Sequence, residues 1–573
     1  MAKMETNHTY NMSNPWIARR EPTICTWKPD YNRGYINNMS VSLKADFTLF
    51  SEQQIIDYVR MMKAFGFNGI QVCDGCYNWR TGSYKFIHSQ YRRLANALHA
   101  EGMSFTYWIW AASFDGHGWH DDDVVYTSST GGSAYDDPAV FACFNKYYDI
   151  YAELADVTDL LIAHFNDPGY LRDKEDIFAF TRLLESKFRA INPNIRMGVD
   201  TWGSPDSFPC ELVNAGFRDY LLMELPFIPS WREPGKRARF REGVKRAGCE
   251  LGMWGWYTAE YEIDQLASMY VNSKVLKDVY NRTRNEGDSV MVPTYWSEMD
   301  SNHVINLFSM YCSGQLLIDP ERDPAELLRE IAYMIYGNEH GETVLQALHL
   351  IEDARSGDSW ETYWWTEAGY VLGGHDPANI LKRAEVLLPE LRTASRDHTN
   401  RSSIPLPLEP YEILELILPH VDQILQYARF RLDMEKLRKM RDDSADKEAL
   451  YNELDRIWNP IPNYNTVVGV FGQIEARAQN RTVYSFAREC GFEPPKRPGH
   501  RFDIKKHYVE NLIGLQRGRS HCVYVNHDFF ESGNLFPDEN EAVIHELVSE
   551  GVFAKKDGAL YLPNWRDYLY DTN

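Results

Sequence analysis

The sequence predicts an α/β chain built on a (β/α)₈ barrel, followed by a helical domain and a small α+β C-terminal unit. Three observations predict it. Strand-like and helix-like segments alternate through the first 320 residues. Eight strand candidates are each followed by a helix candidate, at about 30–45 residues per unit, the spacing of parallel βα repeats. No Gly-rich phosphate loop follows the first strand, as a nucleotide-binding open sheet would require.

The elements follow in order. Arg33-Gly-Tyr-Ile-Asn-Asn38 is the first strand candidate. Ser51 to Phe65 is an amphipathic helix with Ile55, Ile56, Val59, Met62 and Phe65 at helical spacing and Gly66 as its stop. Strands are then expected at 69–73, 105–110, 160–165, 195–199, 220–224, 250–254 and 290–293. Helices are expected between them at 91–100, 139–154, 177–191, 210–215, 239–247 and 266–283, and one at 303–312 closes the series. Helical stripes follow at 323–336, 342–354, 377–391, 411–440 and 467–489. Residues 435–447 are mostly charged and read as a solvated helix face. Near the end, 540–550 reads as a helix and 552–562 as a hairpin turning at Asp557-Gly558. The domain division is 1–30 as an N-terminal extension, 31–320 as the barrel, 321–500 as the helical domain and 501–573 as the C-terminal unit.

Composition excludes several classes. Hydrophobic residues make up 44% and charged residues 25%, which is ordinary for a folded chain and too apolar for a disordered one. The net charge of −22 repels phosphate backbones, so nucleic acid is not an expected partner. No apolar run reaches the ~18 residues a membrane span needs, so no membrane partner is expected. Residues 1–30 hold prolines and charges in place of a leader's apolar stretch, so the expected location is cytoplasmic. Nine cysteines, an odd and sparse number, argue against a disulfide framework.

Aromatic residues reach 14%, with 16 Trp and 35 Tyr, and their positions carry the functional reading. In such a barrel the active site lies where the strands end. The predicted strand ends carry Asp74, Trp79 and Arg80, then Trp108 and Trp110, then His164, Asn166 and Asp167. Further on come Asp200 and Trp202, Glu224, Trp254, Trp256, Tyr257 and Glu260, and finally Tyr295, Trp296 and Glu298. Aromatic faces suit the C–H faces of sugar rings, and paired carboxylates are the machinery of glycosidic bond cleavage. The expected function is therefore glycoside hydrolysis, with Asp167 as general acid and Glu224 as base or nucleophile. Asp200 assists or exchanges roles with Glu224, and Glu298 is held in reserve. The remaining strand-end residues are expected to bind substrate. Two alternatives stand beside this reading. The same aromatics would serve a non-catalytic carbohydrate-binding barrel, and a barrel lyase or isomerase acting on sugars would need a Lys or metal cluster at the strand ends.

No cofactor and no metal is expected. Cys73-Asp-Gly-Cys76 is a lone pair without a second at zinc spacing. His117-Gly-Trp-His120 followed by Asp121 to Asp123 could ligate a metal but reads better as a solvated loop. The 411–440 stripe suits homo-oligomerisation through the helical domain.

Asn166-Asp167-Pro168 stands at the end of the fourth predicted strand. Further on run Asn306-Leu-Phe-Ser-Met-Tyr-Cys-Ser-Gly-Gln-Leu-Leu-Ile-Asp-Pro320 and Glu326 to Ala332. This layout resembles the microbial alpha-glucuronidases, and more broadly the hexosaminidase-like barrel glycosidases, over roughly residues 31–350. The resemblance implies a barrel glycosidase that acts on a uronic-acid or amino-sugar containing oligosaccharide. It places the acid at Asp167, where alpha-glucuronidases carry Glu, and the later carboxylates at Asp200 and Glu224. In the hexosaminidase-like variant two adjacent acids stand at the fourth strand, and here the first is Asn166.

Overall fold

The structure, a computed structural model, describes residues 15–25, 47–74, 84–111, 135–165, 174–201, 207–224, 234–255, 269, 271–286, 291–300, 304–354, 376–458, 479, 482–495, scattered positions between 505 and 525, 537–556 and 558–568. Eight parallel strands close into a barrel in sequence order. They are β1 (Arg19–Cys25), β2 (Gly69–Asp74), β3 (Ser104–Trp110), β4 (Leu160–His164), β5 (Arg196–Asp200), β6 (Leu221–Glu224), β7 (Glu250–Gly255) and β8 (Tyr295–Asp300). Closure runs through β1 beside β8, with Thr23 opposite Met299. The helices that follow the strands are α1 (Glu52–Phe65), α2 (Tyr84–Ala100), α3 (Pro138–Ala152), α4 (Lys174–Ile191), α5 (Phe208–Asn214), α6 (Pro234–Ala247), α7 (Ser273–Glu286) and α8 (Leu307–Ile318).

The expected barrel is present, with its first and last strands elsewhere. The first strand is Arg19–Cys25, inside the segment expected to precede the barrel, and 31–46 lies outside the described residues. Arg19-Arg20-Glu21-Pro22 reads as a charged loop, yet each charge is satisfied in place. Arg19 pairs with Glu21 at 2.7 Å, and Arg20 donates to the carbonyls of Ile17 and Gly66 at 2.7 and 2.8 Å. The last strand starts at Tyr295 instead of Val290 and runs through the polar Ser297 and Glu298, which find partners on the two faces of the sheet.

Helix α1 shows how local sequence sets these elements. The Ser51 hydroxyl and the Gln54 side chain form a reciprocal capping box. Ile55, Tyr58, Val59, Met61, Met62 and Phe65 form its buried face. Gly66 ends it at φ 102°, a left-handed conformation that glycine adopts at least cost, and a Cβ there would meet Ile318 Cδ1 at 2.6 Å.

Beyond the barrel lie α9 (Pro324–Asp353), α10 (Pro377–Ala394), α11 (Pro410–Asp442) and α12 (Lys447–Trp458). Gly337, at φ 62°, breaks α9 into the two helices the sequence predicts. One continuous set of buried residues runs from Ile17 in the barrel to Ala428 in α11, so the barrel and the first three of these helices share a core. The apolar stripe of α11 is largely spent inside the chain, against α10 and α9. The C-terminal unit holds α13 (Pro537–Ser549) and the hairpin β9 (Ala554–Lys556) and β10 (Ala559–Tyr561), with its own small core. The two strands pair antiparallel on either side of the expected turn, with Gly558 at φ 85°; Asp557 lies outside the described residues. Among the described residues no helix is long and apolar enough to cross a membrane.

Candidate active site

Parallel strands bring all their C-terminal ends to one mouth of the barrel. Alternation then decides which side chains enter the lumen, since successive residues point to opposite faces. Near that mouth the lumen holds a compact group. His164, the last residue of β4, places Nδ1 against Asp200 Oδ2 at the end of β5. The His164 ring lies 4.9 Å from that of Trp108, and Trp108 lies 4.5 Å from Trp254. Trp254 donates its indole N–H to Thr23 Oγ1 at 3.4 Å, and Thr23 makes a short hydrogen bond to Ser297. Every one of these side chains is buried.

A carboxylate in such surroundings is costly to bury unless it is paired. His164 supplies the pairing. An Nδ1–H donated to Asp200 also fixes the ring's orientation and leaves Nε2 to face the other way. Trp108 and Trp254, expected as sugar platforms, form the aromatic packing around this pair rather than exposed faces.

Two of the expected catalytic carboxylates point away from the lumen. Glu224 ends β6, and its Oε2 accepts from Arg241 Nε of α6 at 2.9 Å, both side chains being buried. Arg241 also reaches Met253 Sδ at 3.8 Å, which places the pair in the layer between the sheet and the outer helices. Glu298 accepts from Tyr280 of α7 at 3.0 Å and from Trp296 Nε1 at 2.8 Å. Trp296 is likewise on the outer face, where it packs edge-on to Tyr280 at 4.7 Å. The reason in each case is parity. Met223 and Ser297 take the inward positions of β6 and β8, so their neighbours Glu224, Trp296 and Glu298 face the helices.

Tyr295 is inside the barrel but at the opposite end, the first residue of β8. It donates to Glu21 at 2.9 Å and lies 2.8 Å from the Gln71 amide. Glu21 also accepts from Ser104 at 2.7 Å, and Arg19 donates to Thr106 at 3.0 Å. Burial and the Glu21 carboxylate push the Tyr295 phenol well above its ordinary range, so it stays a donor. This polar layer closes the N-terminal end, where barrel residues serve stability.

Asp74 and Trp110 close β2 and β3, so their backbones stand at the C-terminal mouth; their side chains lie outside the described residues. Trp79, Arg80, Asn166, Asp167, Trp202, Trp256, Tyr257 and Glu260 also lie outside them, as do Cys76 and residues 117–123. Sequence reasoning did not single out Thr23 and Ser297, which anchor Trp254. Recognising Thr23-Ile24-Cys25 as a strand end was the signal that could have found the first.

Among the described residues, Glu339, His340 and Asp397 bring possible metal-ligand atoms within 4.8 Å of one another in the helical region. Asp397 already accepts from Thr399 at 2.6 Å and lies 3.0 Å from His340 Nε2, and these contacts hold its carboxyl well below the usual range. The Asp397 carboxylate is thus already engaged, by Thr399 within its own turn and by His340 of α9.

No sequence-family profile matches this chain, and no curated protein matches it. Solved structures give remote likenesses. A GH138 enzyme targeting pectin rhamnogalacturonan II is similar at 8% identity, over 84% of this chain and 69% of that one, with a TM-score of 0.41. A family 89 glycoside hydrolase from Clostridium perfringens in complex with PUGNAc is similar at 9% identity, over 92% of this chain and 66% of that one, with a TM-score of 0.44. The same kind of enzyme with 2-acetamido-1,2-dideoxynojirmycin bound is similar at 10% identity, over 86% and 61%, with a TM-score of 0.42. The chain spans about two thirds of the length of these structures.

Proposed function

We propose that this protein is a glycoside hydrolase whose active site opens at the C-terminal mouth of the barrel, above the His164–Asp200 pair. The observation that carries this reading is Asp200, a buried carboxylate on the lumen face, held by an imidazole whose ring lies 4.9 Å from that of Trp108 and 6.4 Å from that of Trp254. A closed barrel reserves that position for chemistry more than for stability. Asp167, three residues beyond His164 in sequence, is the general acid that protonates the leaving oxygen. Asp200 is the second carboxylate and supplies the negative charge that faces the developing oxocarbenium ion. His164 is a positioning residue: it fixes the Asp200 oxygen and shields its charge until a sugar displaces water from the mouth. Glu224 and Glu298 have no part in the chemistry.

The substrate class follows the sequence resemblance, a glycoside of a uronic acid or an amino sugar. A panel of aryl glycosides and oligosaccharides of both kinds tests the reading. Release of aglycone by the parent protein, and its loss in Asp200→Asn, is the expected result. Saccharide binding with no turnover across the panel would instead identify a carbohydrate-binding barrel. The anomer first formed, read by NMR, then sorts the stereochemistry. Retention implies carboxyls about 5–5.5 Å apart, and inversion about 6.5–9.5 Å.

A further inference from the structure

The C-terminal unit carries a surface that its own core does not explain. Leu560 of β10 is buried and pairs with Lys555 of β9 and with Val525 through an isolated bridge. Alternation therefore sends Tyr561, Tyr524, Ala554, Ala559 and Lys556 to the opposite, outer face. Two tyrosines and two alanines make that face shallow and aromatic. Tyr524 is 46% exposed, an unusual state for a large ring on a strand. Its ring lies 5.3 Å from that of Tyr561 at an interplanar angle of 51°.

The face is also cationic. Lys556 Nζ stands 5.6 Å from the Tyr524 ring centre. Arg566 lies over Trp565 at 4.7 Å, in the 3₁₀ turn Trp565–Tyr568 that follows β10. Among the described residues neither Lys556 nor Arg566 forms an ion pair. Two cations with no ion-pair partner among the described residues, one of them beside the exposed Tyr524 ring, are conspicuous on a chain of net charge −22. Rings stack on the C–H face of a pyranose, and a cation at the ring edge answers a carboxylate. A nucleic acid would demand more positive charge than two side chains supply.

We propose that Tyr524, Tyr561, Lys556 and Arg566 form an accessory binding surface for an anionic polysaccharide, one whose pyranose units carry carboxylates. The surface is separate from the barrel lumen and would hold a polymer without cleaving it. It stands whether or not the barrel hydrolyses glycosides.

Affinity electrophoresis in gels containing polygalacturonate, a neutral galactan or no polymer tests this. The Asp167→Asn chain is run so that turnover plays no part. Retardation is expected with polygalacturonate alone and should weaken as salt rises. The pair Tyr524→Ala with Tyr561→Ala should weaken it at least tenfold, and so should Lys556→Ala with Arg566→Ala. Both variants change outward side chains, and an unaltered melting profile shows that the unit is folded. Undiminished retardation of either folded variant would overturn the proposal. So would equal retardation by the neutral galactan, or tighter binding to a single-stranded oligonucleotide than to polygalacturonate.

Discussion

Substituting Glu224 by Gln separates a structural carboxylate from a catalytic one. The side chain is buried, and its partner Arg241 is buried with it, joined at 2.9 Å. Glutamine keeps the shape and one acceptor but leaves the guanidinium charge uncompensated away from water. Removing one partner of a buried pair costs about 3–5 kcal/mol, so the barrel should melt at clearly lower temperature and lower denaturant. Replacing both partners, Glu224→Met with Arg241→Met, should recover most of the loss, because the pair's own desolvation penalty disappears with it. Tryptophan fluorescence during urea unfolding reads the stability, and kcat on a cleaved glycoside reads the chemistry. The folded Glu224→Gln protein should turn over at near the parent rate, against a loss of about 10²-fold or more for a missing acid or base. A collapse of kcat with unchanged unfolding would refute the orientation argued for β6.

Two further predictions concern stability. Tyr295→Phe should destabilise by about 2–3 kcal/mol, since it strips a donor from the buried Glu21 carboxylate, and should leave KM and kcat unchanged because the site is at the far end of the barrel. A phenol has one proton, which Tyr295 presents to two acceptors, Glu21 Oε2 at 2.9 Å and Gln71 Oε1 at 2.8 Å. At high pH, burial pushes the Cys249 thiol up to about 11 and the phenols of Tyr220, Tyr311 and Tyr336 well above their ordinary value. These groups ionise earlier in the unfolded chain, so stability is full below about pH 9 and falls as pH rises toward 11. Urea midpoints at pH 8 and pH 10.5 should show that decline, and a flat profile would contradict it.

The barrel was legible wherever strands are short apolar runs between amphipathic helices, as at Gly69-Ile-Gln-Val-Cys73 and Leu160-Leu-Ile-Ala-His164. It was illegible at Arg19–Cys25, where Arg19 and Glu21 pair within the strand and reach Thr106, Ser104 and Tyr295 on strands that sequence does not show as neighbours. The site was half legible. Strand-end position is visible from sequence, but facing is not. Leu221-Leu-Met-Glu224 is apolar on both sides, as strands covered by helices are, so it carries no alternation to say that Glu224 faces out. Only Arg241, on the helix that follows β6, settles it. Asp200 looks no different in sequence, yet His164 meets it from the neighbouring strand.

The central claim, acid catalysis by Asp167 with Asp200 as the second carboxylate, is tested most directly by leaving-group dependence. Rates for the parent protein and Asp167→Asn are measured on an aryl glycoside with a poor leaving group and on one with an activated leaving group. The account predicts a loss of about 10²-fold or more on the first and a much smaller loss on the second, whose departure needs little protonation. Parent rates on both substrates from a folded Asp167→Asn protein would contradict it.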